Sequence, residues 1–419
     1  MVARGMIASG TQPADGNRLT LDDLFRRAGV RRADAMALSD GLRNLTYTQA
    51  DRAISALAGS LRDQGLATDA VVAMQLPNSV ENVIALLGVL RAGMIAAPLP
   101  LLWRKQEMTE ALSRAGAKAI VTTGVQADTA MQVAAELFPI RAVAGFGRDL
   151  PDGVAPLDTI FDAGTNAFFQ SSVRRSAAHV AVITFDVTID GIIPAARSHS
   201  DLFAGGLAVF RQAGIAQDAS IVSTIPLGTF AGIALTLMPW LLAGGTLALH
   251  HGFEPVIFAE QCRAHEASAV VLPGPAVSAI AEAGLLNQAK NILALWRAAE
   301  QLAVAPPWQG TAALVDISSF DESRLLAALR GPDGLPMPSP NGAPAGLIAV
   351  GGYHFRQGEI DAAVAATDPT AVIAALPDAL LGQRLAGSAP DPVATAAQLL
   401  ACGVNALVAG AFRAREKVA

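Results

Sequence analysis

The residues best placed to do chemistry follow an apolar run, residues 180–185, that enters a turn. A turn that cradles phosphate needs glycines for close backbone approach, hydroxyls as hydrogen-bond donors and a lysine for the anionic oxygens. Between Asp186 and Ala195 this chain has Gly191, the central hydroxyl of Thr188, no lysine, and two carboxylates, Asp186 and Asp190. Carboxylates four apart suit general acid/base work, and equally a turn capped and solvated by aspartates. His199 is either an acid/base or anion-contact group, or simply a polar residue at a helix start. His250 and His251 are neighbours, so on a strand they point to opposite faces and do not share a ligand; no metal site is expected.

Such a turn must be held by a strand before it and a helix after it, and the chain supplies both repeatedly. Short apolar runs at 71–75, 94–98 and 119–123 alternate with helical patterns at 49–64, 78–92 and 127–137. A second set begins near residue 178, with strands at 180–185, 220–225, 246–249 and 269–272 between helices at 201–213, 230–243 and 254–265. Strand–helix alternation marks a parallel sheet covered on both faces, and open sheets of this kind bind ligands at the carboxyl ends of their strands. The expected division is a flexible lead-in (1–18), an N-terminal α/β lobe (19–177), a second α/β lobe (178–329), a linker rich in Pro and Gly (330–344) and a small α/β tail (345–419).

Composition agrees. Of 419 residues, 52% are hydrophobic and only 16% charged, which supplies a large core, and a net charge of -6 offers no electrostatic footprint for nucleic acid. The two cysteines, Cys262 and Cys402, are far apart and indicate neither a zinc site nor a disulfide framework. Apolar stretches are broken by Pro and Gly, so no membrane span is expected, and the setting is expected to be cytoplasmic.

Three stretches taken in order, Leu45-Thr46-Tyr47-Thr48-Gln49-Ala50, Val72-Ala73-Met74-Gln75-Leu76-Pro77-Asn78-Ser79 and Leu87-Gly88-Val89-Leu90-Arg91-Ala92-Gly93, resemble the opening of the adenylate-forming acyl- and aryl-CoA synthetase family, the AMP-dependent synthetases and ligases. Val350-Gly351-Gly352-Tyr353-His354-Phe355-Arg356, followed by Leu381-Gly382-Gln383-Arg384, resembles the start of that family's C-terminal domain. The resemblance implies two doubly wound α/β lobes with a truncated α/β C-terminal appendage. It also implies chemistry in which a carboxylate joins ATP, pyrophosphate leaves, and the acyl group passes to a thiol.

Against that pattern the chain is divergent and short. The family's phosphate loop, like TSGTTGxPKG, falls on Asp186 to Ala195, where only Gly191 matches. A like-charge contact at ~4 Å costs roughly 4 kcal/mol at an effective dielectric of about 20, so Asp186 and Asp190 oppose a triphosphate there. The YGxTE motif has its nearest match in Phe320-Asp321-Glu322-Ser323-Arg324, with Ser323 for the threonine and Glu322 in the acidic role if the frame is shifted. No TGD occurs between Leu325 and Val350, and Lys417, the sole late lysine, lacks the setting of the family's adenylation lysine.

The resemblance places an acyl pocket at Thr229, Phe230 and Gly232, and beside Pro273 and Gly274, whose surroundings suit either a rigid pocket wall or an ordinary turn. The implied function is an acyl-CoA synthetase-like protein impaired in ATP-dependent adenylation. It would keep a pocket for an acyl or aryl carboxylate or thioester, in a binding or scaffolding role with a partner enzyme or acyl carrier protein. The alternative is an active acid–thiol ligase or acyl transferase with a remodelled site, and only then would ATP, magnesium and CoA be its cofactors.

Overall fold

The computed structural model describes residues 19–162, 169, 175–319, 321–337 and 346–412. The lead-in 1–18, the stretch 338–345 and Lys417 lie outside them. Three sheets are present. The first runs Val154–Pro156, Ala142–Phe146, Ala117–Thr123, Val71–Met74, Ile95–Pro98, Val180–Thr188 and Gly191–Ser198, parallel up to its last, antiparallel pair. The second orders Leu326–Leu329, Ala313–Ser318, Asn291–Trp296, Ala269–Pro273, Ile221–Ser223, Leu247–Leu249, Met36–Ser39 and Asn44–Thr46, parallel except at its two ends. A four-stranded antiparallel sheet with its own apolar core forms the C-terminal unit.

The α/β architecture is thus the expected one, but strands cross the line at residue 177. Residues 36–46 pair with the second sheet and residues 180–198 with the first. The two lobes are thereby stitched through a shared core, in which Tyr47 and Trp240 stack at 6.1 Å and both bond the Gly245 carbonyl, Tyr47 Oη at 2.8 Å and Trp240 Nε1 at 3.0 Å. The start of the Pro/Gly-rich stretch is docked rather than loose, for Trp308 N–H donates to the Gly334 carbonyl at 2.8 Å and Arg330 is buried. No helix among the described residues is long and apolar enough to cross a membrane.

One expectation needs correcting. The stretch after 185 is not an open turn between strand and helix; the strand continues to Thr188 and returns from Gly191 to Ser198 as a hairpin. Two residues, Ile189 and Asp190, make the turn, and Thr188 Oγ1 accepts the Asp190 N–H at 3.2 Å and donates to the Gly191 carbonyl at 2.9 Å. Gly191 has φ +125°, a conformation L side chains avoid, and a side chain there would collide with Glu110 and Arg114. Sequence could not show this, because Val187, Ile189, Ile192 and Ile193 suit a strand as well as a loop.

Candidate functional site

The carboxyl ends of four strands of the second sheet, Ile221–Ser223, Ala269–Pro273, Asn291–Trp296 and Ala313–Ser318, lead into loops that line one cavity of about 290 Å³. The first sheet contributes Phe185, Asp186 and Val187, and the C-terminal sheet closes the space with Gly352, Tyr353 and His354. This is the crevice where open α/β sheets bind ligands. Its wall is largely apolar, in keeping with a small-molecule site.

The charged groups sit on one side. Glu322, 4% exposed, accepts the Phe230 N–H through Oε2 at 2.5 Å, and its own N–H donates to Asp186 Oδ1 at 2.6 Å. Arg297 follows the strand Asn291–Trp296, donates from Nη2 to Thr229 Oγ1 at 2.7 Å, and places Nη1 3.9 Å from Glu322 Oε1. Burial pushes the Glu322 carboxyl above the usual range, while the neighbouring Arg297 charge pulls it back. Asp186 is likewise raised by burial, and Arg297 is lowered by its own burial. Gln75, fully buried, donates to the Leu101 and Trp103 carbonyls and so holds the Trp103 side of the cavity.

Asp186, Thr229, Pro273 and Glu322 therefore share this cavity. Phe230 is buried behind it, its ring 3.7 Å beneath the Arg197 guanidinium. Gly274 packs on the Trp296 ring. Gly232 is held against the Pro226 carbonyl, with no room for a methyl group. Gly232→Ala is expected to lower stability by about 1–3 kcal/mol through forced displacement of backbone, read as a lower urea midpoint at unchanged m. Ser323 lies outside the cavity, its hydroxyl donating to Asp321 Oδ1 at 2.5 Å.

Thr188, Asp190 and Gly191 form the hairpin tip, away from the cavity. The backbone there is already partnered: Ile192 N–H donates to Glu110 Oε1 at 2.9 Å, and Glu110 also pairs with Arg114 at 3.0 Å and with Arg356 of the C-terminal sheet at 3.1 Å. A carboxylate of the chain itself thus occupies the donor that an anion would seek.

His199 is also remote. It opens the helix His199–Ala213, is 2% exposed, and its Nδ1 accepts the Leu21 N–H at 3.2 Å, which fixes a neutral ring. Burial depresses its pKa from 6.5 to about 4. Since the folded state resists protonation that the unfolded chain accepts, His199 contributes stability above pH 6.5 that falls away as pH drops toward 4, for a total loss of about 3 kcal/mol. Urea unfolding at pH 7 and pH 4, compared with His199→Gln, checks it: the substitution is expected to flatten the decline. His250 and His251 have separate roles, the first paired with Gln261 at 2.7 Å and the second accepting the Asn78 N–H at 3.4 Å. Among the described residues, no group of three or more His, Cys, Asp or Glu side chains is arranged to hold a metal ion.

Sequence reasoning did not single out Arg297, Trp103, Asp321 or His354 as site residues. Arg297 and Trp103 are lone residues whose partners in the cavity are remote in sequence, while Asp321 and His354 lie in stretches that carried a family resemblance but no role of their own.

Residues 25–166 match the family described as AMP-binding enzyme. The chain is 33% identical over 151 residues to an oxalate–CoA ligase of Arabidopsis thaliana, covering 35% of this chain and 29% of that one. It is 28% identical over 234 residues to a feruloyl-CoA synthase of an Amycolatopsis species, covering 54% and 44% respectively, so the aligned parts span less than half of either relative. In fold it is similar to the amide bond synthetase McbA of Marinactinospora thermotolerans, with a TM-score of 0.72 at 15% identity over 92% of this chain and 94% of that one.

Proposed function

We propose that this chain, a divergent relative of the adenylate-forming AMP-binding enzymes, binds a small acyl or aryl carboxylate or its thioester in the cavity and does not form adenylates from ATP. One observation carries the reading: the place expected to hold triphosphate is a closed two-residue hairpin whose Ile192 N–H already serves Glu110. A phosphate-binding turn needs a row of free backbone donors beside positive charge. Here the adjoining strand instead turns Asp186 toward the cavity, next to Glu322 and Asp321. The residues present therefore do not fit ATP with magnesium in the family's manner, and no adenylation step is derived.

What the cavity offers is a pocket of apolar walls with one guanidinium, Arg297, for a carboxylate or thioester carbonyl. Recognition of such a ligand requires the apolar body to be desolvated and the anionic end to meet a fixed donor, and Arg297, bonded to Thr229, is fixed. Pyrophosphate exchange into ATP with a panel of carboxylic acids tests the loss of adenylation, and calorimetric titration with the acids and acyl-CoA thioesters in the absence of ATP tests the pocket. Binding without exchange is the expected result. Carboxylate-dependent exchange above background overturns the reading in favour of an active acid–thiol ligase with a remodelled site.

A further inference from the structure

The charge inside the cavity is unbalanced in a way that a simple carboxylate pocket does not need. Of its charged lining residues, three are carboxylates, Asp186, Asp321 and Glu322, against the single guanidinium of Arg297. Arg297 answers Glu322 and Thr229. Asp321 turns one oxygen to the N–H groups of Ser323 and Arg324. Asp186 uses Oδ1 for the Glu322 N–H and makes no ion pair among the described residues. The same cavity has an aromatic lining: Trp103 and Phe185 meet at 5.8 Å with planes tilted 59°, and Tyr353 packs on the same apolar cluster.

A carboxylate with no direct ion pair among the described residues, in an apolar cavity also lined by aromatic rings, is the chemistry that recognises an ammonium group: the rings offer their negative faces and the carboxylate supplies the opposite charge, which the more distant Arg197 and Arg297 offset only in part. An anionic group placed beside Asp186 would meet repulsion, whereas a cation there is attracted. Uncharged His354, whose Nε2 is buried with no hydrogen-bond partner, adds a polar group to the same wall without opposing a positive charge.

We propose that the cavity takes a ligand bearing an ammonium or quaternary ammonium group, with Asp186 as its counter-ion and Trp103, Phe185 and Tyr353 as the aromatic wall around it. For the acid end of such a zwitterion the proposal rests on the carboxylate-pocket reading above; for the cationic end it stands on Asp186 and the rings alone. The apolar remainder of the lining, Leu101, Ile225 and Leu295 among it, suits the methylene spacer between the two ends.

Calorimetric titration of the full chain with three probes tests this: γ-trimethylammoniobutyrate, its tert-butyl counterpart of the same shape, which keeps the carboxylate but has no cation, and choline, which has the cation without the acid. The zwitterion is expected to bind about tenfold or more tightly than the cation-free acid. Asp186→Asn keeps an oxygen to accept the Glu322 N–H and is expected to erase that preference. Tyr353→Leu, which leaves every charge in place, is expected to narrow the preference severalfold, and so tests the site even if the first variant does not fold. Equal or tighter binding of the cation-free acid overturns the proposal. Choline binding with neither acid bound sinks the carboxylate pocket but supports the cation site, and binding of none of the three sinks both.

Discussion

Arg330→Met is expected to lower the unfolding free energy by about 3–5 kcal/mol, the largest stability loss in this set. The Arg330 and Asp316 side chains are 4% and 2% exposed, and they meet in a two-pronged contact, Nε to Oδ2 at 2.8 Å and Nη2 to Oδ1 at 3.1 Å. Arg330 also donates to the Pro306 carbonyl at 2.7 Å and the Gly334 carbonyl at 3.1 Å, so one side chain ties the strand Ala313–Ser318 to two surface segments. Removing the guanidinium leaves a buried carboxylate whose remaining donor is Trp296 Nε1 at 2.8 Å. Most of the cost is that stranded charge rather than the net worth of the pair. Adding Asp316→Asn to Arg330→Met is therefore expected to recover a large part of it, since the amide is uncharged and still accepts from Trp296. Urea unfolding of wild type, both single variants and the double variant measures the coupling, and a double variant as unstable as the sum of the singles would contradict the account. Because Trp296 precedes Arg297, loosening at Asp316 is also expected to weaken ligand binding without any contact to ligand.

Arg297→Met is expected to weaken binding of acyl or aryl carboxylates about hundredfold, equivalent to about 2.7 kcal/mol, by removing the cavity's one guanidinium. It also leaves Glu322, 4% exposed, with its carboxyl raised by burial and only the Arg197 guanidinium still opposing its charge. A carboxyl whose folded pKa exceeds its unfolded value binds protons more tightly when folded, so its cost to stability appears as pH rises through that interval and vanishes below it. The stability loss in Arg297→Met is thus expected to be larger at pH 7.5 than at pH 4.5, and thermal melts at the two values decide it. A loss independent of pH would mean that Arg297 acts by packing alone. Arg297→Lys, which keeps the charge but not the planar fork toward Thr229, is expected to restore the pH behaviour and only part of the affinity.

The two substitutions bear on different parts of one construction. Arg330 and Asp316 hold two neighbouring strands near one edge of the second sheet, Asn291–Trp296 and Ala313–Ser318, and Arg297 acts from the carboxyl end of the first into the cavity. The C-terminal sheet completes the enclosure through Gly352, packed against the Arg297 stem, and through Arg356, held by Glu110. The Glu110 contact ties together the hairpin, the helix Lys105–Ala115 and the C-terminal unit, whose Gly352, Tyr353 and His354 close one side of the cavity.

The sequence by itself determined the α/β class, most of the parallel strands and their covering helices. These depend on local periodicity, and strands buried on both faces announce themselves as short apolar runs between helical patterns. It also determined that the stretch around Asp186–Gly191 lacks the residues of a phosphate cradle, because residue types can be read without coordinates. Of the residues named from motifs, Asp186, Thr229, Pro273 and Glu322 lie together in space, while His199, Ser323 and the hairpin tip lie elsewhere. Tertiary structure alone decided that strands cross between the lobes, that the stretch folds back as a hairpin, and that Arg297, Trp103 and Tyr353 line one cavity with Asp186. Pairing partners and enclosing walls come from segments far apart in sequence, and their choice rests on packing and charge in three dimensions, which no local pattern records.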